Sequence, residues 1–384
     1  MKIALLRERH EGERRIALAP KECATLIGYG VSIRMEAGAG ARASLPDAAY
    51  AELGVDVVPD ADAALAGAGV IVAVRWPQLI GSGTLSEALA ETLESGWPEE
   101  ALFVSLFGFD APPFEAIARR RGSVLALEHL PRITRAQSMD VLSSQATAAG
   151  YAASLRAATH LPRFLPMLTT ASGTVAPARI LVLGAGVAGL QAIATARRLG
   201  AAVTGYDIRP AALEQIRSLG AKSLEMPAAG EETEGEGGYG KALPEEAQER
   251  QQTFLDRAAA DFDAIITTAQ IPGRVAPLLL TREAVEAMRP GSIIVDLAGD
   301  SGGNCALSEA GRTVEVGGVT VDAPLNLASA VALNASEMFG RNLTALLRHL
   351  GAADAEIRLD PDDEITGSLL KVHRGEKRDA PWES

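Results

Sequence analysis

The sequence has two cysteines in 384 residues, Cys23 and Cys305, and they stand far apart. Two thiols build no disulfide framework, and neither sits in a metal-ligand spacing, so no metal site is expected and a reducing cytoplasm is. Aromatics make up 4% of the chain, too few for stacking on nucleic-acid bases to be a theme. Positive charge is short as well. The formal net charge of -13 repels phosphate backbones and anionic headgroups, so no nucleic-acid partner is expected. A nest of backbone N–H groups could still hold one nucleotide against that charge. No run of about 18 apolar residues occurs, so direct membrane insertion is not expected. The opening Met1-Lys-Ile-Ala-Leu-Leu-Arg starts on a strand-like run with no signal-peptide pattern. The five histidines, His10, His129, His160, His349 and His373, form no ligand or triad pattern, and the few lysines give no catalytic constellation.

What is present is apolar and small. Hydrophobic residues make up 47% of the chain and there are 38 glycines, which suits parallel sheets covered by helices. The length allows two α/β domains. Strand-like runs at 3–6, 31–36, 70–74 and 102–106 alternate with helix signals such as 20–27, which Pro20 opens and Gly28 and Gly30 can stop. This predicts a parallel sheet with crossover helices. A helix over 144–164, ended by Pro162 and Pro166, links to a second lobe. There the pattern reads strand 179–183, helix 190–199, strand 201–206, a further unit reaching a strand at 222–226, and strands at 264–267 and 292–297 with a helix at 281–288 between them. A helix at 335–350 is expected to pack back on the first lobe, and the charged stretch 371–384 to be loose. The segment 227–240 is acidic and Gly-rich, a solvated loop by composition, although Tyr239 keeps a lid reading open.

Between the second lobe's first strand and helix lies Gly184-Ala-Gly-Val-Ala-Gly189. The motif follows an apolar strand, opens a helix, and has an acid, Asp207, 23 residues after Gly184 at the end of the next strand. That context marks a dinucleotide site. Gly184 permits the tight turn, Gly186 lets the backbone approach a pyrophosphate, and Gly189 lets helix and strand pack closely. Asp207 would accept from the adenosine ribose hydroxyls and repel a 2′-phosphate, favouring NAD over NADP. Arg209 complicates this, since a cation there could pair with that phosphate. The fold class expected is therefore α/β, with two Rossmann-like doubly wound parallel-sheet domains and a cleft between them. The first would comprise 1–136 plus 325–384, the linking helical segment 137–166, and the NAD(H)-binding domain 167–324, with a mobile loop near 227–245.

A second polar cluster lies in Pro131-Arg-Ile-Thr-Arg-Ala-Gln-Ser-Met-Asp-Val-Leu-Ser-Ser-Gln145, where Arg132, Gln137, Asp140 and Ser143 fall within three helical turns. Spacing alone reads as a capped helix start with an interlobe salt bridge. The run also resembles a signature of the NAD(H)-binding component of proton-translocating nicotinamide nucleotide transhydrogenase. Further matches are the Gly184 segment, Ala171-Ser-Gly-Thr-Val-Ala-Pro-Ala-Arg179, Gly237-Gly-Tyr-Gly-Lys241, Thr267-Thr-Ala-Gln-Ile-Pro-Gly273 and Gly302-Gly-Asn-Cys-Ala-Leu-Ser308. The resemblance implies that Ala185, Gly186 and Val187 line the pyrophosphate and that Asp207, Ile208 and Arg209 surround the adenosine ribose. Arg132, Ile133, Thr134, Gln137, Asp140 and Ser143 would hold the nicotinamide and its ribose. Gly238 and Tyr239 would lie on the mobile loop, with Gln251 and Gln270 nearby. It further implies hydride transfer between NAD(H) here and NADP(H) on a partner subunit. The chain would be a homodimer, cytoplasmic and peripheral to the inner membrane through an NADP(H)-binding component and a membrane-spanning component. Such a transfer exchanges no proton with its substrates and needs positioning rather than a general base.

Three places depart from the family's pattern. Gln270 replaces a leucine, the acidic stretch after Asp-Leu-Ala becomes Gly299-Asp-Ser-Gly-Gly303, and a Pro and an Arg are missing from Leu325-Asn-Leu-Ala-Ser-Ala330. A rival reading is an alanine dehydrogenase-like enzyme, which Glu13-Arg-Arg-Ile-Ala-Leu-Ala-Pro20 resembles. Its lysine is replaced in Val74-Arg-Trp-Pro77, its histidine is missing from Val104-Ser-Leu-Phe-Gly-Phe109, and an arginine is a poor base. Arg15 would match its carboxylate binder but reads as structural. The second rival is a non-catalytic NAD(H)-binding regulatory protein.

Overall fold

The structure, a computed structural model, describes residues 1–76, 98–108, 114–226, 245–270 and 273–378. The chain divides into two compact units, Met1–Gln145 with Ser329–Glu383, and Ala146–Ala328.

The first unit holds an eight-stranded sheet. Its order is Glu376–Lys377, Leu370–His373, Ser123–Ala126, Leu102–Leu106, Val70–Arg75, Lys2–Leu5, Ser32–Glu36, Asp56–Val58. The six strands nearest the N-terminus pair in parallel, and the two late strands add antiparallel at one edge. The stretch 371–378, expected to be loose, is thus partly sheet. Lys371 is 4% exposed, and Leu370 and Val372 are fully buried. The helix Ala332–His349 carries its apolar stripe, Phe339, Leu343, Leu346 and Leu347, into the core beneath this sheet.

The second unit holds a seven-stranded sheet ordered Lys222–Ser223, Ala202–Tyr206, Arg179–Leu183, Ala264–Thr267, Ile293–Asp296, Val319–Asp322, Thr313–Val316. All pairs are parallel except the last, which is antiparallel. The first strand in sequence lies inside the sheet, and the order reverses beside it. The first unit does the same around Lys2–Leu5. Both are doubly wound in the sense expected from the sequence.

The central strands Arg179–Leu183, Ala264–Thr267 and Ile293–Asp296 read as largely apolar runs because both faces are covered. Ile180 and Val182 enter one core with Ile266 and Val295, while Leu181 and Leu183 enter the other with Ile265 and Ile294. The helix expected over 144–164 spans Val141–His160. It starts earlier because Asp140 caps it: the Ser143 N–H donates to Oδ1 at 2.9 Å and the Ser143 hydroxyl to Oδ2 at 2.6 Å. In the second unit its small-residue face meets the helix Val187–Arg198, where the Ser154 hydroxyl donates to the Ala192 carbonyl at 2.9 Å. A Cβ on Gly150 would lie 2.1 Å from the Ala188 carbonyl oxygen.

Candidate functional site

In the second unit, the reversal of strand order places two loops side by side at the carboxyl ends of Arg179–Leu183 and Ala264–Thr267. Ligands of doubly wound sheets bind in that position. The first loop is the glycine turn. Gly184 sits at φ +93°, and a Cβ there would come within 2.8 Å of Thr268 Oγ1. Gly189 is closed in further: a Cβ would stand 1.8 Å from the Gly184 carbonyl oxygen. Gly186 differs, because a Cβ there would meet nothing within 4 Å. Gly186 precedes the helix Val187–Arg198, has no side-chain cap, and is followed by the exposed Val187. First-turn N–H groups therefore face open space, the arrangement an oxyanion of a pyrophosphate requires. These residues fit a dinucleotide.

Asp207 closes the other side of the turn. Its Oδ2 accepts from the Ala185 N–H at 2.8 Å and from Arg209 Nη2 at 2.9 Å, and its Oδ1 accepts from the Arg209 N–H and Nε, each at 2.9 Å. Burial raises the carboxyl pKa, but the Arg209 and backbone hydrogen bonds outweigh it and hold Asp207 below the usual carboxylate range. Arg209, which the sequence left as a cation available to a phosphate, is engaged as a clamp on Asp207. Ile208 packs at the edge of the core beside Tyr206. Gln251, on the helix Glu245–Ala259, hydrogen-bonds the Tyr206 hydroxyl. Gly238 and Tyr239 lie outside the described residues.

The second loop is held by a network whose residues stood in the sequence only as a family match. Asp296 is fully buried and accepts from the Thr267 hydroxyl at 2.8 Å, the Ser308 hydroxyl at 2.5 Å, and the backbone N–H groups of Ala298, Asn304 and Cys305. Asn304 in turn donates to the Ala269 and Pro277 carbonyls at 2.9 and 2.8 Å and accepts from the Ala269 N–H at 3.0 Å. A Cβ on Gly303 would lie 3.0 Å from Asp296 Oδ2. The Gly-Gly-Asn-Cys-Ala-Leu-Ser run is thus the clamp on the segment that flanks the glycine turn.

The first unit holds the other cluster. Ile133 is extended, Thr134–Met139 is a 3-10 turn, and Asp140 caps the following helix. Pro131, Arg132, Ile133, Ala136, Gln137, Asp140 and Ser143 line a cavity of about 340 Å³. Arg132 and Gln137 are exposed, while Thr134 is exposed and does not line the cavity. The sequence reading of a capped helix and the polar cluster meet in one residue, Asp140.

Two buried carboxylates near the first unit's own reversal point carry no signal that the sequence reading used. Glu36, at the end of Ser32–Glu36, accepts from the Arg7 N–H at 3.0 Å and from both Arg9 terminal nitrogens at 3.0 and 2.8 Å. It repeats the Asp207 arrangement, but on a long first loop without the glycine motif. Glu8 accepts from the Val74 and Arg75 N–H groups at 2.6 and 3.3 Å. Arg15, 3% exposed, is fully engaged: Nε and Nη2 donate to Glu13 at 2.8 and 2.6 Å, and Nη1 to Gln145 Oε1 at 2.8 Å. Glu13 also accepts from the Ser329 hydroxyl at 2.6 Å. This is the structural role read for Arg15 from the sequence.

Burial, then the Glu13 charge, pushes Glu8 from 4.5 up to about 8. Burial acts on Glu13 in the same direction, but the Arg15 hydrogen bonds and charge win and bring it to about 2. The signs oppose. Glu13 stabilises the fold above about 4.5, and that contribution is lost as pH falls toward 2. Glu8 holds its proton more tightly when folded, so its contribution is complete below about 4.5 and is lost as pH rises through 8. Melting temperature measured against pH should therefore decline across that upper window, and Glu8→Gln should flatten the decline. An unchanged profile would remove Glu8 from the account.

A family model described as Alanine dehydrogenase/PNT, N-terminal domain, matches residues 4–149, and one described as Alanine dehydrogenase/PNT, C-terminal domain, matches residues 153–380. The chain is 43% identical to the first portion of a divided NAD(P) transhydrogenase subunit alpha of Rhodospirillum rubrum, over 98% of this chain and 97% of that one. It is 28% identical to an alanine dehydrogenase of Halomonas elongata, over 98% of this chain and 94% of that one. A solved structure of transhydrogenase from Sinorhizobium meliloti matches with a TM-score of 0.85 at 40% identity, covering 98% of this chain and all of that one. With both domain models matched and its higher identity on the transhydrogenase side, the chain belongs to the alanine dehydrogenase/PNT family, on the branch of the NAD(P) transhydrogenase alpha subunits.

Proposed function

We propose that this chain binds NAD(H) and transfers hydride between it and NADP(H) held by a partner subunit. The observation that carries the reading is the glycine turn, closed against backbone at Gly184 and Gly189 and open at Gly186. In this reading the Ala185, Gly186 and Val187 backbone meets the pyrophosphate, and Asp207, Ile208 and Arg209, with Gln251 and Gln270 nearby, serve the adenosine end. Arg132, Ile133, Thr134, Gln137, Asp140 and Ser143 serve the nicotinamide end, and Gly238 and Tyr239 belong to a closing loop. Bound NAD(H) supplies the hydride donor or acceptor at its nicotinamide C4. The chain's own groups orient and exclude water. Arg132 and Gln137 line the cavity and carry side-chain donors of the cluster, while Asp140 uses an acceptor site of each oxygen on the helix cap and so fixes Ser143 beside it. The Asp207 carboxylate disfavours a 2′-phosphate, keeping NADP(H) for the partner.

The relatives' designation as one portion of a subunit alpha supports separate partner chains. We assign the protein as a homodimer that joins an NADP(H)-binding component and a membrane-spanning component, cytoplasmic and peripheral to the inner membrane. No helix among the described residues is long and apolar enough to cross a bilayer. In this reading the proton path lies in other chains. The engagement of Arg15 by Glu13 and Gln145, and Arg75 in the place of a lysine, weigh against an amino-acid dehydrogenase.

The test is reconstitution. The chain is mixed with an NADP(H)-binding transhydrogenase component of proven competence, NADPH and an oxidised NAD analogue. Reduction of the analogue that needs both proteins is expected. No transfer in that mixture, or NADH oxidation driven by pyruvate and ammonium, would overturn the proposal.

A further inference from the structure

Two of the three departures from the family's sequence pattern touch each other. Gln270, which follows the strand Ala264–Thr267, turns its Nε2 onto the turn Gly299–Ser301. It donates to the Leu297 carbonyl at 3.1 Å, to Asp300 Oδ1 at 3.1 Å and lies 3.4 Å from the Ser301 hydroxyl. The first two of these are pure acceptors. The amide cannot be turned over, because its carbonyl would then face another carbonyl and a carboxylate. The nitrogen side is therefore fixed inward, and Oε1 is the edge left over. Among the described residues no donor is assigned to it, and the residue is exposed.

The location gives this edge a use. Gln270 stands two residues beyond Thr268, whose hydroxyl donates to the Gly184 carbonyl at 3.0 Å. The segment 268–270 thus forms the wall of the glycine turn opposite Asp207. A nucleotide in that crevice presents its base near such a wall, since ligands of this fold lie between the loops at the reversal point. A leucine at this position offers a base only apolar contact. A carboxamide oxygen held outward offers an acceptor, and adenine's exocyclic amine is a donor.

The geometry points to Gln270 as a specificity residue that accepts a hydrogen bond from the adenine N6 amino group, oriented by Leu297 and Asp300. The inference rests on the NAD(H) reading and adds to it a preference for adenine over bases with a carbonyl at that position.

The probe is the reduced hypoxanthine dinucleotide, in which a carbonyl oxygen replaces the amine. Dissociation constants for NADH and for this analogue are measured on the wild-type chain, on Gln270→Leu and on Gln270→Asn, by fluorescence titration. One neutral hydrogen bond corresponds to a preference for NADH of roughly three- to ten-fold. Gln270→Leu should bring the ratio of the two constants close to one. Gln270→Asn, which keeps the amide but shortens its reach, should lower the ratio too, and it supplies the measurement if the leucine variant does not fold. Equal affinities in the wild-type chain would overturn the inference while leaving NAD(H) binding intact, and so would a ratio that survives both substitutions. Failure of the wild-type chain to bind NADH at all would remove the reading on which it rests.

Discussion

Gly189→Ala is expected to unfold the second unit's ligand edge, and Gly186→Ala to leave the fold untouched while losing the ligand. A methyl on Gly189 would stand 1.8 Å from the Gly184 carbonyl oxygen, so neither helix nor turn can keep its place. Overpacking against backbone falls at the upper end of the usual range, roughly 3 kcal/mol or more, and both melting temperature and NADH affinity should drop. At Gly186 the added methyl meets no protein atom within 4 Å, so melting should hold. The methyl would fill the space that a phosphate must enter. Losing one or two charge-assisted hydrogen bonds there should weaken NADH by roughly ten-fold or more. Calorimetry and titration on the two variants separate these outcomes. If Gly189→Ala melts with the wild type, or Gly186→Ala binds NADH as tightly, the turn is not the pyrophosphate cradle.

Arg15→Ala should cost the first unit about 3–5 kcal/mol, because it strands a buried carboxylate. Glu13 is fully buried, and its carboxylate accepts from both Nε and Nη2 of this one guanidinium, at 2.8 and 2.6 Å. Gln145 also loses its donor. Denaturant unfolding measures the loss. An Arg15→Ala chain that unfolds with the wild type, but has lost a wild-type turnover of an oxo acid with ammonium, would contradict the structural role and revive the amino-acid dehydrogenase.

The parts of the fold that were readable from sequence were those whose burial leaves a local trace. Arg179–Leu183 and Ala264–Thr267 were legible because adjacent residues enter opposite cores, which makes the run apolar throughout. The strand Leu370–His373 was not, since a buried lysine sits in it and its partner, Ser123–Ala126, lies far away in sequence. Asp56–Val58 is three residues long, at a sheet edge, and opens with an acid. The hairpin Thr313–Val316 and Val319–Asp322 also went unread, although its trace is there: Gly317 and Gly318, at φ +61° and +83°, form the two-residue turn that such ribbons prefer.

The site follows the same rule. The Gly184 motif and Asp207 are close in sequence and were legible together. That Arg209 clamps Asp207 rather than standing free depends on side-chain geometry, which spacing does not report. Gln270 was legible as a departure, but its bond to Asp300 joins two loops about 30 residues apart. Glu36 and Arg9 repeat the Asp207 clamp with no glycine signature to announce them.

The first unit is built from two stretches of chain, with the whole of the second between them. Synthesis runs from the amino end, at roughly 5–20 residues per second, and domains fold as their residues become available. The strand Leu370–His373, which covers Ser123–Ala126, emerges only after residue 328 has completed the inserted unit. The ribosome therefore delivers the second unit complete before the first. The early strands must wait, with one sheet edge bare, for a segment made some 250 residues later. Of the two lobes, the one begun earlier is the one a chaperone would have to shield.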